Sequence, residues 1–215
     1  WDAGGLKIDI IKPAELVRTT YEGSVLYLEN PRAMGDPGKA FRENPKQELK
    51  IDLTHEAVGP LYGHIGEAGE GNDFARAHTE QHMRVTGTIQ VDSESSIAFN
   101  GHGLRDHSWG PRYWQSTPSY RWITGNFGDD LGMIIRTNAD GEGGGLFQEG
   151  DDLVRIVKTR LTTEYEEGTN YHKSLRAELE LEDGRTRLLE GKVMSFIPLR
   201  NRRSGKNTHV GEGMT

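Results

Sequence analysis

The sequence predicts an all-β protein of antiparallel strands. Three observations carry this. About eleven short stretches alternate apolar and polar residues or are rich in β-branched side chains. Glycine is abundant, at 28 of 215 residues, as in chains made of many strands and tight turns. No stretch shows the 3.6-residue apolar period of an amphipathic helix. Strands at short spacing joined by hairpin signals predict barrels or sandwiches, and a closed barrel has an interior that can hold one small ligand.

In chain order, Leu6–Ile11 alternates and stops at Pro13, which reads as a half-buried strand. Ser24–Glu29 follows a Glu22-Gly23 turn and reads as a second. Residues 30–46 hold three prolines and two glycines without a period and are expected to be a surface loop. Leu49, Ile51 and Leu53 alternate with Lys50 and Asp52, a one-sided strand. Residues 59–73 contain five glycines and read as the linker or long loop between two halves. The expected division is therefore 1–66 and 67–215.

Strands are expected next at 80–91, 96–101, 120–127 and 131–137, with a hairpin at Gly128-Asp129-Asp130. The glycines of 141–145 read as another tip, since no lysine or helix follows to make a phosphate loop of them. Residues 153–165 suit a bent strand. Ser174–Asp183 is the clearest element: Leu175, Ala177, Leu179 and Leu181 face one way and Arg176, Glu178, Glu180 and Glu182 the other. Asp183-Gly184 then signals a hairpin to 185–197.

Composition excludes several function classes. A net charge of −7 argues against general nucleic-acid binding, and the basic run 200–206 is too short to reverse that. Cysteine is absent, which removes disulfides and thiolate metal sites and favours a cytoplasmic setting. No apolar run approaches the ~20 residues of a membrane-spanning helix. The chain starts at Trp1 without a visible signal segment and ends in a glycine-rich tail, so it is expected to be part of a longer protein.

Chemistry concentrates in Gly101–Arg112. Two histidines, an aspartate, two arginines and a tryptophan fall within twelve residues there, bracketed by glycines and Pro111. If 105–109 is extended, Arg105, His107 and Trp109 share one face and Asp106 and Ser108 the other. Such a cluster equips a pocket, or equally a hydrogen-bonded structural network. The candidates are Asp106, His107 and Trp109, supported by Arg105, Arg112, Glu80, His78 and Trp122. Adjacent residues on a strand point oppositely, so Asp106 and His107 enter one pocket only if a bulge intervenes. His78 and His82 lie four apart, a ligand spacing on a helix, but on a strand they are about 13 Å apart; no metal site is expected.

The residues from 78 to 114 also carry a resemblance. His78-x-Glu80-Gln81, Val85-Thr86-Gly87-Thr88 and Gly103-x-Arg105-Asp106-His107-Ser108-Trp109-Gly110-Pro111-Arg112 resemble the lipocalin-like superfamily of carotenoid hydratases (hydroxyneurosporene synthases), AttH-like proteins and kievitone hydratase. Gly5–Asp9, Leu53–Ala57, Trp122 and Gly125 fit the same pattern. The resemblance implies two calycin-like β-barrel domains, both incomplete in this chain. It further implies a hydratase- or isomerase-like enzyme, without cofactor, acting on a carbon–carbon double bond of an isoprenoid or similar apolar molecule. A noncatalytic carrier of such a molecule is the alternative. Protonating an alkene needs a well-placed acid, for which a carboxyl kept neutral by burial is suited, and a cation is held by an aromatic face. Asp106 and Trp109 are the candidates for those roles. His107 would orient the acid or a water, or give the proton, and Arg105 and Arg112 would pair with buried carboxylates such as Glu80. The motif is expected to line a largely apolar cavity.

Overall fold

A computed structural model describes residues 1–65, 75–112, 119–203 and 206–214. In chain order the elements are β1 (Asp2–Ala3), β2 (Leu6–Lys12), β3 (Leu16–Leu26), a 3₁₀ turn (Pro31–Gly35), α1 (Pro37–Glu43), β4 (Lys46–Ala57), β5 (Tyr62–Ile65), β6 (Ala75–Val91), β7 (Ile97–Arg112), β8 (Arg121–Asn126), β9 (Leu131–Thr137), β10 (Glu142–Glu149), β11 (Asp152–Tyr165), β12 (His172–Leu181), β13 (Thr186–Lys192), β14 (Ser195–Arg203) and β15 (Lys206–Met214). The class is all-β and antiparallel, as the alternation predicts, and one sheet curls into half a barrel, in keeping with a lipocalin-like architecture.

Strands β1 to β7 form one seven-stranded sheet, β8 to β13 a six-stranded meander, and β14–β15 a separate ribbon. β6 is the spine of the first sheet. One of its edges is shared by β5, along residues 77–80, and β4, along 83–91, while β7 pairs along the other. Thr79, Glu80, Gln81, His82 and Met83 are all buried in succession. Because a strand alternates faces, five consecutive buried residues mean that both faces of β6 are covered.

The pairing of β4 with β6 overturns the expected division at 66/67, since one sheet continues across it. The two main sheets instead part between β7 and β8; residues 66–74, on which the expected boundary falls, lie outside the described residues. Within 59–65, the linker reading also fails, because Tyr62–Ile65 pairs with β6 as a strand. Gly63 permits this: a Cβ there would stand 2.0 Å from the His78 carbonyl oxygen.

Two further expectations are corrected. Residues 30–46 contain a short helix, capped by the Asp36 side chain accepting from Lys39 N at 3.1 Å and started by Pro37. Seven residues are too few to display a period. Of the glycines of 141–145, Gly141 does stand at a tip, in the β9–β10 turn with φ +82°, but Gly143–Gly145 run through mid-sheet β10. A Cβ on Gly145 would lie 1.9 Å from Ile134 O and one on Gly143 2.0 Å from Arg136 O, so close backbone approach explains these two.

The hydrophobic core lies in the meander, where Met133, Ile135, Phe147, Ile156, Leu161, Ala177, Leu179 and Leu181 pack together. The β12–β13 hairpin turns at Gly184, with φ +84°, and pairs Glu178 with Leu188. Ala177, Leu179 and Leu181 are buried and Leu175 half-buried, while Glu178 and Glu180 are exposed, as the alternation predicts. The expected return strand 185–197 is interrupted, β14 leaving to pair with β15.

Candidate active site

The even-numbered residues of β6 face the meander, and there the site assembles. Tyr62 on β5, Glu80 on β6 and Asp106 on β7 are direct cross-strand partners in one row, so their side chains share a face. His78, one pleat along, puts Nε2 2.7 Å from Asp106 Oδ1. From the opposing sheet, the Trp122 indole Nε1–H donates to Glu80 Oε1 at 2.7 Å. Glu80 is 5% exposed. Burial pushes its carboxyl above the ordinary range, and the Asp106 carboxylate across the ladder pushes the same way. His78, the Trp122 hydrogen bond and Arg136 act against them without cancelling the rise.

Four of the candidates named from sequence therefore converge: His78, Glu80, Asp106 and Trp122. The odd-numbered residues of β7 occupy the other face. Arg105 donates through Nη1 to Thr79 Oγ1 and through Nη2 to His107 Nδ1, both at 3.3 Å, and the His107 and Trp109 rings stand 5.0 Å apart. No register shift occurs along β7 at 105–109, so no bulge turns His107 toward Asp106. Arg105 does not pair with Glu80 either, because the two lie on opposite faces of the sheet. The Arg112 backbone ends β7, and its side chain lies outside the described residues.

The expected enclosure of the motif by an apolar cavity is also corrected. The Asp106 side chain is 40% exposed and Trp109 41% exposed, and His107 is exposed as well. Among the described residues β7 pairs with β6 alone, so its outer edge carries no further strand. The buried carboxyl is Glu80, not Asp106, and burial strengthens its hold on the proton.

Further along the same face of β6, His82 and Arg84 join the sheets. His82 Nδ1 lies 2.6 Å from Asn126 Oδ1, and burial lowers the affinity of its ring for a proton. Gly132 gives that ring its room, since a Cβ there would stand 2.7 Å from His82 Cδ2. Arg84 donates through Nη1 to Asp129 Oδ2 at 2.7 Å and through Nη2 to Glu56 Oε2 at 2.9 Å, while His102 Nε2 lies 2.8 Å from Asp129 Oδ1. The Gln148 amide donates to Val58 O at 2.8 Å. Tyr62, Asn126 and Asp129 escape a sequence reading because each belongs to a different local pattern. Only the Tyr62-Gly63-His64-Ile65 alternation could have pointed to the first.

Among the described residues, no group of three His, Cys, Asp or Glu side chains could hold a metal ion, and no helix is long and apolar enough to cross a membrane. Compared with known proteins, residues 1–215 match a family model described as a domain of unknown function, DUF7064. The comparisons with curated proteins and with solved structures found no match.

Proposed function

The chain belongs to the DUF7064 family, domains of unknown function, and from that premise we propose that it is an acid–base catalyst of hydratase or isomerase type, acting on a carbon–carbon double bond of an isoprenoid or similar apolar molecule. The observation that carries the reading is the buried Glu80 carboxyl, which retains its proton above the ordinary range and faces an Asp106 held by His78. A neutral carboxylic acid supplies a proton, and a neighbouring carboxylate removes one. In this reading Glu80 protonates one alkene carbon. The cation that forms on the other carbon faces the ring of Trp122, an attraction on the order of 2 kcal/mol once desolvated. In hydration a water attacks that carbon and its proton passes to Asp106, shared with His78. In isomerisation Asp106 takes a proton from the adjacent carbon instead. Proton transfer from Asp106 to Glu80 then restores the starting state.

The test is deuterium exchange. Apolar trisubstituted alkenes incubated with the protein in D₂O should gain carbon-bound deuterium, detected by mass spectrometry, with Glu80→Gln abolishing the gain. The exposure of Asp106 and Trp122 favours a second reading, a noncatalytic binder of the same class of molecule. Retention of an alkene without any exchange would select it.

A further inference from the structure

We propose that Asp129 is a positioning residue for this site: its carboxylate, gripped by Arg84 and His102, holds the β8–β9 hairpin against the first sheet and so keeps the Trp122 indole on Glu80. The inference rests on the reading of Glu80 as the working acid. Among the described residues, β8 is the edge strand of its sheet and pairs only with β9. Its other side is therefore held by side-chain anchors rather than by a ladder.

Three such anchors fall on successive even positions of β6: Trp122 on Glu80, Asn126 on His82, and Asp129 on Arg84. The last differs in kind. Asp129 stands in the hairpin connection beside Gly128, whose φ is +101°. Its two carboxylate oxygens go to two different strands, Oδ2 to Arg84 on β6 and Oδ1 to His102 on β7. Arg84 is itself tied by Glu56 on β4. A single exposed ion pair contributes little, but a carboxylate held from two strands cannot slide along either without losing the other. That fixes the tip of the hairpin in two directions and aligns the strand carrying Trp122.

The experiment uses the full chain labelled with ¹⁵N. Its four tryptophans give separate indole signals, and the Trp122 signal is the one that Trp122→Phe removes. Asp129→Asn should speed exchange of the Trp122 indole N–H with solvent by about tenfold. His102→Gln, which spares the Arg84 ion pair, should act in the same direction more weakly and serves as the test if Asp129→Asn does not fold. Glu178→Gln, on an exposed ion pair elsewhere in the meander, should leave the signal unchanged. Unaltered protection in folded Asp129→Asn and His102→Gln overturns the proposal, as does equal acceleration in Glu178→Gln, which would mark general loosening. Loss of the catalytic reading would appear separately, as absence of deuterium gain with Trp122 protection still sensitive to Asp129.

Discussion

Glu80 and Asp106 stand directly opposite each other on neighbouring strands, yet one is buried and the other open to solvent. Burial raises the proton affinity of Glu80, and a pair of carboxyl groups in unlike surroundings is the setting in which acid and base roles divide.

The two faces of β7 predict a division among variants. Asp106→Asn and His78→Asn should lower deuterium exchange into an alkene by roughly 100-fold, the range of a lost acid–base group. His107→Gln and Trp109→Phe, on the opposite face, should leave it within about twofold, less than the effect of a single ordinary hydrogen bond. Rates of deuterium gain for the four variants decide this. Equal loss in His107→Gln would show that the motif acts as a whole, against the faces described here.

Glu80 also predicts a pH dependence of stability. Its folded-state pKa is raised above the ordinary 4.5, so its contribution to stability is complete below that value and is lost as pH rises through the folded pKa. Glu80→Gln carries no such loss. Urea unfolding from pH 4 to 8 should show the wild type weakening relative to Glu80→Gln as pH increases. A constant difference across that range would contradict the raised pKa.

His82 predicts the opposite slope. Burial depresses its ring below the ordinary 6.5, so its contribution is present above that value and is lost as pH falls through the folded pKa. The stability advantage of wild type over His82→Asn should therefore shrink in acid. If it grows instead, the ring is charged in the folded protein.

Gly132→Ala tests the joint itself. The added methyl would meet the His82 ring at 2.7 Å, within a site filled on both sides. The cost should be about 1–3 kcal/mol, typical of overpacking, measured by chemical denaturation. His82→Ala in the same chain should recover part of that loss by vacating the space.

Within the core, Leu179→Ala should cost about 2–5 kcal/mol, because Leu179 is 2% exposed and central to the packed cluster. Glu178→Ala, one residue away on the exposed face, should change stability by no more than ~0.5 kcal/mol. Thermal or chemical denaturation of the two variants checks the register of the β12–β13 hairpin.

Much of the fold is legible in the sequence because side-chain alternation is a local property. Leu175 to Leu181 reads as a strand from its own residues, and Asp183-Gly184 as its turn. The faces of Arg105 to Trp109 follow from the same period. The helix at Pro37–Glu43 was hidden by its brevity. The mid-sheet glycines of β10 look like a turn because the contact that requires them comes from Ile134 and Arg136 on another strand.

By itself, then, the sequence determined an antiparallel all-β chain, the faces of its individual strands, and a pool of residues that includes His78, Glu80, Asp106 and Trp122. Only the tertiary structure decided which of them meet. Period-two alternation says which side chains share a face but not which strand lies alongside or what covers that face. Glu80 is drawn beside Asp106 by the β6–β7 ladder and buried by a tryptophan from the second sheet. The same ladder separates His107 and Trp109 from them, although they are neighbours in the chain, because adjacent residues on an unbulged strand point to opposite sides.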